Sequence, residues 1–159
     1  MGSRAGRVRS SGLLLALLLG SCDKMHAPEL PPAEVYDQAV DISGSWRGEV
    51  GGVSGALTVE KLGARHFRGM FQAGGAGRRY VLNLEQVQAA GPGGASSPTN
   101  LVQFTWQDGH GDRGAGWLLV NREGSALTGT YGRGENNVEG AGTWTFVRPR
   151  DPNDQRRRG

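Results

Sequence analysis

One cysteine stands in 159 residues, so no disulfide can form within the chain, and a domain in an oxidising compartment must hold together by packing and hydrogen bonds. Histidine is scarce as well, at three. The sequence has no Gly-x-Ser-x-Gly elbow, no His-Glu-x-x-His pair, no phosphate loop and no cysteine nucleophile. The expectation is therefore a protein that is not an enzyme and carries no cofactor and no metal. Long hydrophobic runs are missing too. The longest, Leu13–Leu19, has seven residues, whereas a bilayer-spanning helix needs roughly 20. From Ile42 onward no stretch of a dozen residues carries an apolar stripe at helical spacing, which excludes a helical bundle.

What is present at the amino end has a direction. Arg4, Arg7 and Arg9 precede the leucine run, which ends in Leu19-Gly20-Ser21-Cys22; charged, apolar and small residues in that order make a secretory signal. The last four residues resemble the lipobox of bacterial lipoproteins, in which an apolar residue and two small ones precede a cysteine. The resemblance implies a signal peptide over residues 1–21, diacylglycerol on the Cys22 thiol, cleavage between Ser21 and Cys22, and acylation of the new amino terminus. A second acyl signal turns marginal membrane binding into stable anchoring, at about 0.8 kcal/mol per buried CH2. An ordinary cleavable signal that happens to end in cysteine is the alternative. Asp23 follows directly, and in enteric lipoproteins an aspartate there favours the inner membrane. That rule does not hold in every lineage, so inner and outer membrane both stay open within an expected bacterial cell-envelope location.

Without the leader the charge changes. The chain has 18 Lys+Arg against 15 Asp+Glu; residues 1–21 remove three arginines and no acid, which leaves 15 against 15. The basic excess belongs to the export signal and points to no nucleic-acid partner. Residues 22–41 read as a tether, with Pro28, Pro31 and Pro32 favouring an extended chain of about 3 Å per residue. Within it Val35, Tyr36 and Val40 either form a short helical turn or dock on the domain, and His26 reads as a solvated loop residue. Residues 149–159 end in Arg156-Arg157-Arg158 and read as a disordered basic tail. It is either solvated or in touch with anionic lipid or an acidic partner, at about 1 kcal/mol per basic residue near a charged membrane.

Between these segments, residues 42–148 form one all-β domain. Alternating apolar residues broken by glycine-rich turns predict strands over 45–50, 56–61, 66–72, 80–88, 101–106, 116–120, 126–132 and 142–148. Mostly short connections make a single eight-stranded antiparallel up-and-down β-barrel the simplest arrangement, because closure leaves no exposed edge; a β-sandwich is the runner-up. Gly44-Ser45-Trp46 resembles the Gly-x-Trp opening of calycin barrels, and Ala126-Leu127-Thr128-Gly129-Thr130-Tyr131 resembles an avidin-type strand. The second motif comes seventh here and early in avidins, and no polar set for a biotin ureido group can be placed, so biotin binding is not implied. Strands this short predict an interior filled by side chains. A hairpin pattern also recurs: Gly55 to Phe71 and Gly116 to Tyr131 each place a glycine, Gly69 or Gly129, between two large apolar residues of one face.

Four tryptophans, Trp46, Trp106, Trp117 and Trp144, are the candidate ligand wall; the plainer expectation is that they fill the barrel or cover its ends. Asp108-Gly109-His110-Gly111-Asp112 could ligate a cation, but without the spacing of a calcium loop it reads as a hairpin turn. His66 reads as a surface residue. The loops 89–99 and 132–140 are candidate binding loops or plain connectors. Two functions remain. One is a non-catalytic protein-interaction or assembly module of an envelope machine for secretion, motility or surface structure, with the membrane and envelope proteins as partners. The other is a barrel binding a small apolar or envelope-derived ligand. A hollow interior would favour the second, and a packed interior the first.

Overall fold

The computed structural model describes residues 29–75 and 77–149. The expected signal peptide over residues 1–21, Cys22, His26 and the tail from Arg150 lie outside the described residues. Eight strands follow in order: β1 (Gly44–Val50), β2 (Val53–Lys61), β3 (His66–Ala73), β4 (Arg79–Ala90), β5 (Ser96–Asp108), β6 (Arg113–Val120), β7 (Ala126–Tyr131) and β8 (Gly142–Val147). Each pairs antiparallel with the next, and β8 returns to β1 to close the barrel. The fold is the expected up-and-down barrel, compatible with a calycin-like architecture.

Closure follows from the alternation of side chains. Trp46, Leu57, Phe71, Leu82, Phe104, Leu118, Leu127 and Trp144, one from each strand, are all buried. Their neighbours in sequence point to solvent. A slip of one residue in any pairing would turn that set outward, so the apolar pattern specifies the register all round the barrel.

Strands β4 and β5 run well past the expected bounds. The glycine-rich stretch 89–99, expected as an open connector, is instead the tip of this hairpin. Ala90 pairs with Ser96 and Gln88 with Pro98, and the register shifts between Gln86 and Gln88. The tip is held by the chain that precedes the barrel. Asn100 N donates to Glu34 O at 2.9 Å, Tyr36 N donates to Pro98 O at 2.8 Å, and Val35 bridges Thr99. Of the two readings of Val35 and Tyr36, docking is what occurs: Tyr36 is buried, and its hydroxyl donates to Val120 O at 3.0 Å.

The same segment closes one end of the barrel. Ile42 is buried, and its carbonyl accepts from Trp46 Nε1 at 3.0 Å. Arg148 lies over the Trp46 ring, 4.3 Å from its centroid. Its guanidinium donates to three carbonyls, Gly124 O at 2.6 Å, Ser43 O at 2.8 Å and Asp41 O at 2.7 Å. One side chain thus ties the β6–β7 turn, the entry to β1 and the end of β8 together. Arg148→Ala is expected to lower stability by about 2–3 kcal/mol, since hydrogen bonds to a charged group contribute about 1.5–3 kcal/mol and the ring stacking is lost with them. Urea denaturation reads this directly, and a change below half a kilocalorie would remove the clamp from the account.

The recurring hairpin pattern lies in β2–β3 and β6–β7. Both copies put their glycine inside, but the pairing slides between them. Val59 faces Gly69 in the first, whereas Leu118, the counterpart of Leu57, faces Gly129 in the second. The two share an inward pattern and not a superposable hairpin.

Candidate functional site

The barrel interior is filled with rings. Phe71, Tyr80, Phe104, Tyr131 and Phe146 surround Trp144, with centroids 5.1–6.3 Å from it. Trp106 stands edge-to-face against Tyr80 at 5.5 Å and Tyr131 at 5.8 Å. Such volume fits inside eight strands only because the opposing wall positions are glycine. A Cβ on Gly55 would lie 2.6 Å from the Phe71 ring, one on Gly48 would lie 2.8 Å from Phe146, and one on Gly114 would lie 2.6 Å from Trp106 Nε1. Glycines that look like strand breakers in sequence are here the sockets for aromatic side chains.

The four tryptophans therefore do not wall one cavity. Trp106 and Trp144 share the interior, with Tyr80 and Tyr131 between them. Trp46 lies at the closed end beneath Arg148. Trp117 is on the opposite parity of β6 from buried Leu118 and faces outward, half-buried on the barrel wall. Its Nε1 is covered and has no hydrogen-bond partner among the described residues. Trp117 alternates with Leu118 in an apolar run, so strand periodicity alone did not separate inside from outside there.

The outward charges are concentrated on β1, β3 and β4, with Glu60 on β2, while β5 presents Gln103, Thr105 and Gln107. Arg47 and Glu49 on β1, Arg68 on β3 and Glu85 on β4 point outward and are exposed. On β6, β7 and β8 the outward positions past the mouth rim are Ala115, Trp117, Leu119, Ala126, Thr128, Thr130, Thr143, Thr145 and Val147, none charged. Thr128 faces Thr145, Thr130 faces Thr143, and Trp117 faces Thr130. The 132–140 loop folds back over one edge of this wall, burying Val138 and accepting a hydrogen bond from Thr130 Oγ1 at 2.9 Å.

The second candidate site is the open end. Above the aromatic filling, the β3–β4, β5–β6 and β7–β8 connections surround a dish of about 390 Å³, within the size range of small-ligand sites. Its floor is Tyr80, Trp106 and Tyr131, and its rim carries Arg78, Arg79, Asp108, His110, Asp112 and Arg133. Burial, then the neighbouring Tyr80, push the Tyr131 hydroxyl above its ordinary range, while Arg133 and Arg78 pull it back. It is therefore a protonated donor at neutral pH.

The Asp108–Asp112 segment is a hairpin turn. Asp108 Oδ1 accepts from His110 N at 2.8 Å and Asp112 N at 2.9 Å, and Asp112 pairs with Arg133 at 3.1 Å. Among the described residues no three His, Cys, Asp or Glu groups gather as a metal site. His66 is on the surface, 3.6 Å from Glu85. The residues that sequence reasoning missed are Arg78, Tyr80, Tyr131 and Arg133. The signal was Arg78-Arg79-Tyr80 directly after a glycine turn, but which barrel end stays open is decided by the docked N-terminal segment.

The fold and its ends thus define a closed eight-stranded barrel, filled within, capped at one end and open as a shallow dish at the other. No protein-family model, curated protein or solved structure matches the chain.

Proposed function

We propose that the chain is a lipid-anchored lipoprotein of the bacterial cell envelope whose barrel acts, without catalysis, as an interaction or assembly module of an envelope machine such as a secretion, motility or surface-structure apparatus. The filled interior carries this reading. With rings occupying the space where a calycin-type barrel would hold an apolar ligand, binding falls to the outside, and the uncharged β6–β8 wall is a broad surface free of the charges that oppose burial. Support for the anchor is Leu19-Gly20-Ser21-Cys22 and the proline-bearing segment after it. An interior apolar ligand, the other reading, would have to displace Trp144 or its neighbours.

The test places a photo-crosslinking amino acid at Thr128 or Thr145, and separately at Arg68 on β3, four strands round the barrel from β7, in the full chain expressed in a bacterium with its own leader. The expected result is a discrete envelope-protein adduct from the first two positions alone, lost in Thr145→Lys. That variant should leave stability within about 0.5 kcal/mol, as substitutions at exposed positions usually do. Equal adducts from both walls, or none from either, would overturn the interaction surface. Labelled palmitate incorporation that disappears in Cys22→Ser tests the anchor separately.

A further inference from the structure

The dish at the open end has a chemistry that the uncharged wall does not need. The arginines and aspartates around it differ in what already engages them. Arg79 lies against the outer wall, donating to Met70 Sδ from Nη2 at 2.9 Å and Nε at 3.3 Å. Arg133 is engaged by Asp112. Asp108 spends one carboxylate oxygen on two backbone N–H groups of its own turn. Arg78 remains, exposed and without an acidic partner among the described residues.

The floor adds two donors. Tyr80 and Tyr131 line the dish, and neither hydroxyl has a hydrogen-bond partner among the described residues. Trp106 Nε1 is already satisfied by Gly132 O at 3.0 Å, so it offers its ring and not its N–H. The arrangement is therefore one guanidinium, Arg78, with neither a hydrogen-bond acceptor nor an acid engaging it among the described residues, and two phenol donors above an aromatic floor. Three arginines, Arg78, Arg79 and Arg133, stand on the rim against two carboxylates, Asp108 and Asp112, which leaves one positive charge in excess, and Arg78 is the guanidinium free to meet an anion.

We propose that this dish binds a small organic anion with a planar apolar body, its carboxylate or sulfonate held by Arg78 and the Tyr80 and Tyr131 hydroxyls and its ring laid on the aromatic floor. The site does not depend on the membrane anchor or on the β6–β8 wall. An anion without an apolar body, such as inorganic phosphate, meets the guanidinium but not the floor and binds far less tightly. A neutral ring of the same shape meets the floor but leaves Arg78 unused.

The test titrates the full chain with 8-anilinonaphthalene-1-sulfonate, following dye emission and tryptophan quenching, and then competes the dye with benzoate and with benzyl alcohol. Saturable binding is expected, displaced by benzoate and not by benzyl alcohol. Arg78→Gln should raise the dissociation constant at least about tenfold, the loss of one charge-assisted contact, with thermal stability unchanged because the substituted side chain is exposed. Arg68→Gln, on the outer wall, should change nothing. Dye binding that does not saturate, that survives Arg78→Gln, or that benzyl alcohol displaces as well as benzoate would overturn the proposal.

Discussion

Trp144→Ala is expected to cost about 4 kcal/mol, within the range of about 3–5 kcal/mol for emptying a buried large aromatic site, and to leave the barrel on the edge of unfolding, since a whole domain is stable by only about 5–15 kcal/mol. Trp144 touches five other rings, so its removal leaves a cavity whose walls come from five strands tied into a closed sheet. Such walls cannot collapse inward without breaking the closure. Trp144→Phe should cost far less, about 1 kcal/mol, because it keeps most of the ring and removes an Nε1 donor that is buried without a partner. Urea denaturation followed by far-ultraviolet circular dichroism measures both. Equal costs would mean that the filling is fluid and that Trp144 is not its centre.

Gly116→Val is the second large effect, and it acts by the opposite fault. A Cβ at this position would lie 2.8 Å from Phe104 Cε1 and 2.5 Å from the Thr130 carbonyl oxygen. The ring could shift, but the carbonyl belongs to the neighbouring strand and is fixed by the ladder. Overpacking a core costs typically about 1–3 kcal/mol, and with a backbone clash added the expected loss is at least about 3 kcal/mol. Gly69→Ala makes the contrast. Its new Cβ would meet Leu84 Cδ1 at 3.1 Å and Leu57 Cδ1 at 3.3 Å, ends of side chains that can rotate, and Leu82 Cβ at 3.3 Å, which must give by a few tenths of an ångström, so the cost should stay at about 1 kcal/mol. Adding Phe104→Leu to Gly116→Val should recover part of the loss and not all of it. Full recovery would show that the ring alone sets the limit, and no recovery that the carbonyl alone does.

These two predictions mark where the sequence was legible and where it was not. Alternation along Phe67, Gly69 and Phe71, and along Phe104 and Trp106, placed the inner face correctly, because side chains on a strand alternate strictly. That the glycines between them serve as sockets was not legible. A glycine's neighbour across the ladder depends on register, and register differs even between the two hairpins that look alike. The 89–99 stretch, read as a binding loop or a plain connector, pairs across its own tip and is held at Pro98–Asn100 by the segment Glu34–Tyr36, about sixty residues earlier; its small residues carry no strand alternation, and no local pattern shows a partner so distant. The dish was out of reach as well, since Arg78 from the β3–β4 connection, Tyr131 at the end of β7 and Arg133 just beyond it are brought to one rim only by closure.

By itself, then, the sequence determined the all-β class, the number and order of the strands, the inward face of those strands whose apolar residues alternate cleanly with polar ones, and the scarcity of groups for nucleophilic or metal chemistry. These are local properties, set by period, turn residues and composition. The tertiary structure alone decided that the barrel is filled by rings set in glycine sockets, that Trp117 stands apart from the other three tryptophans, and that the docked N-terminal segment and Arg148 close one end while the other stays open. Each of those depends on which residues meet across strands far apart in the chain, and that is fixed by closure of the sheet and the register it imposes.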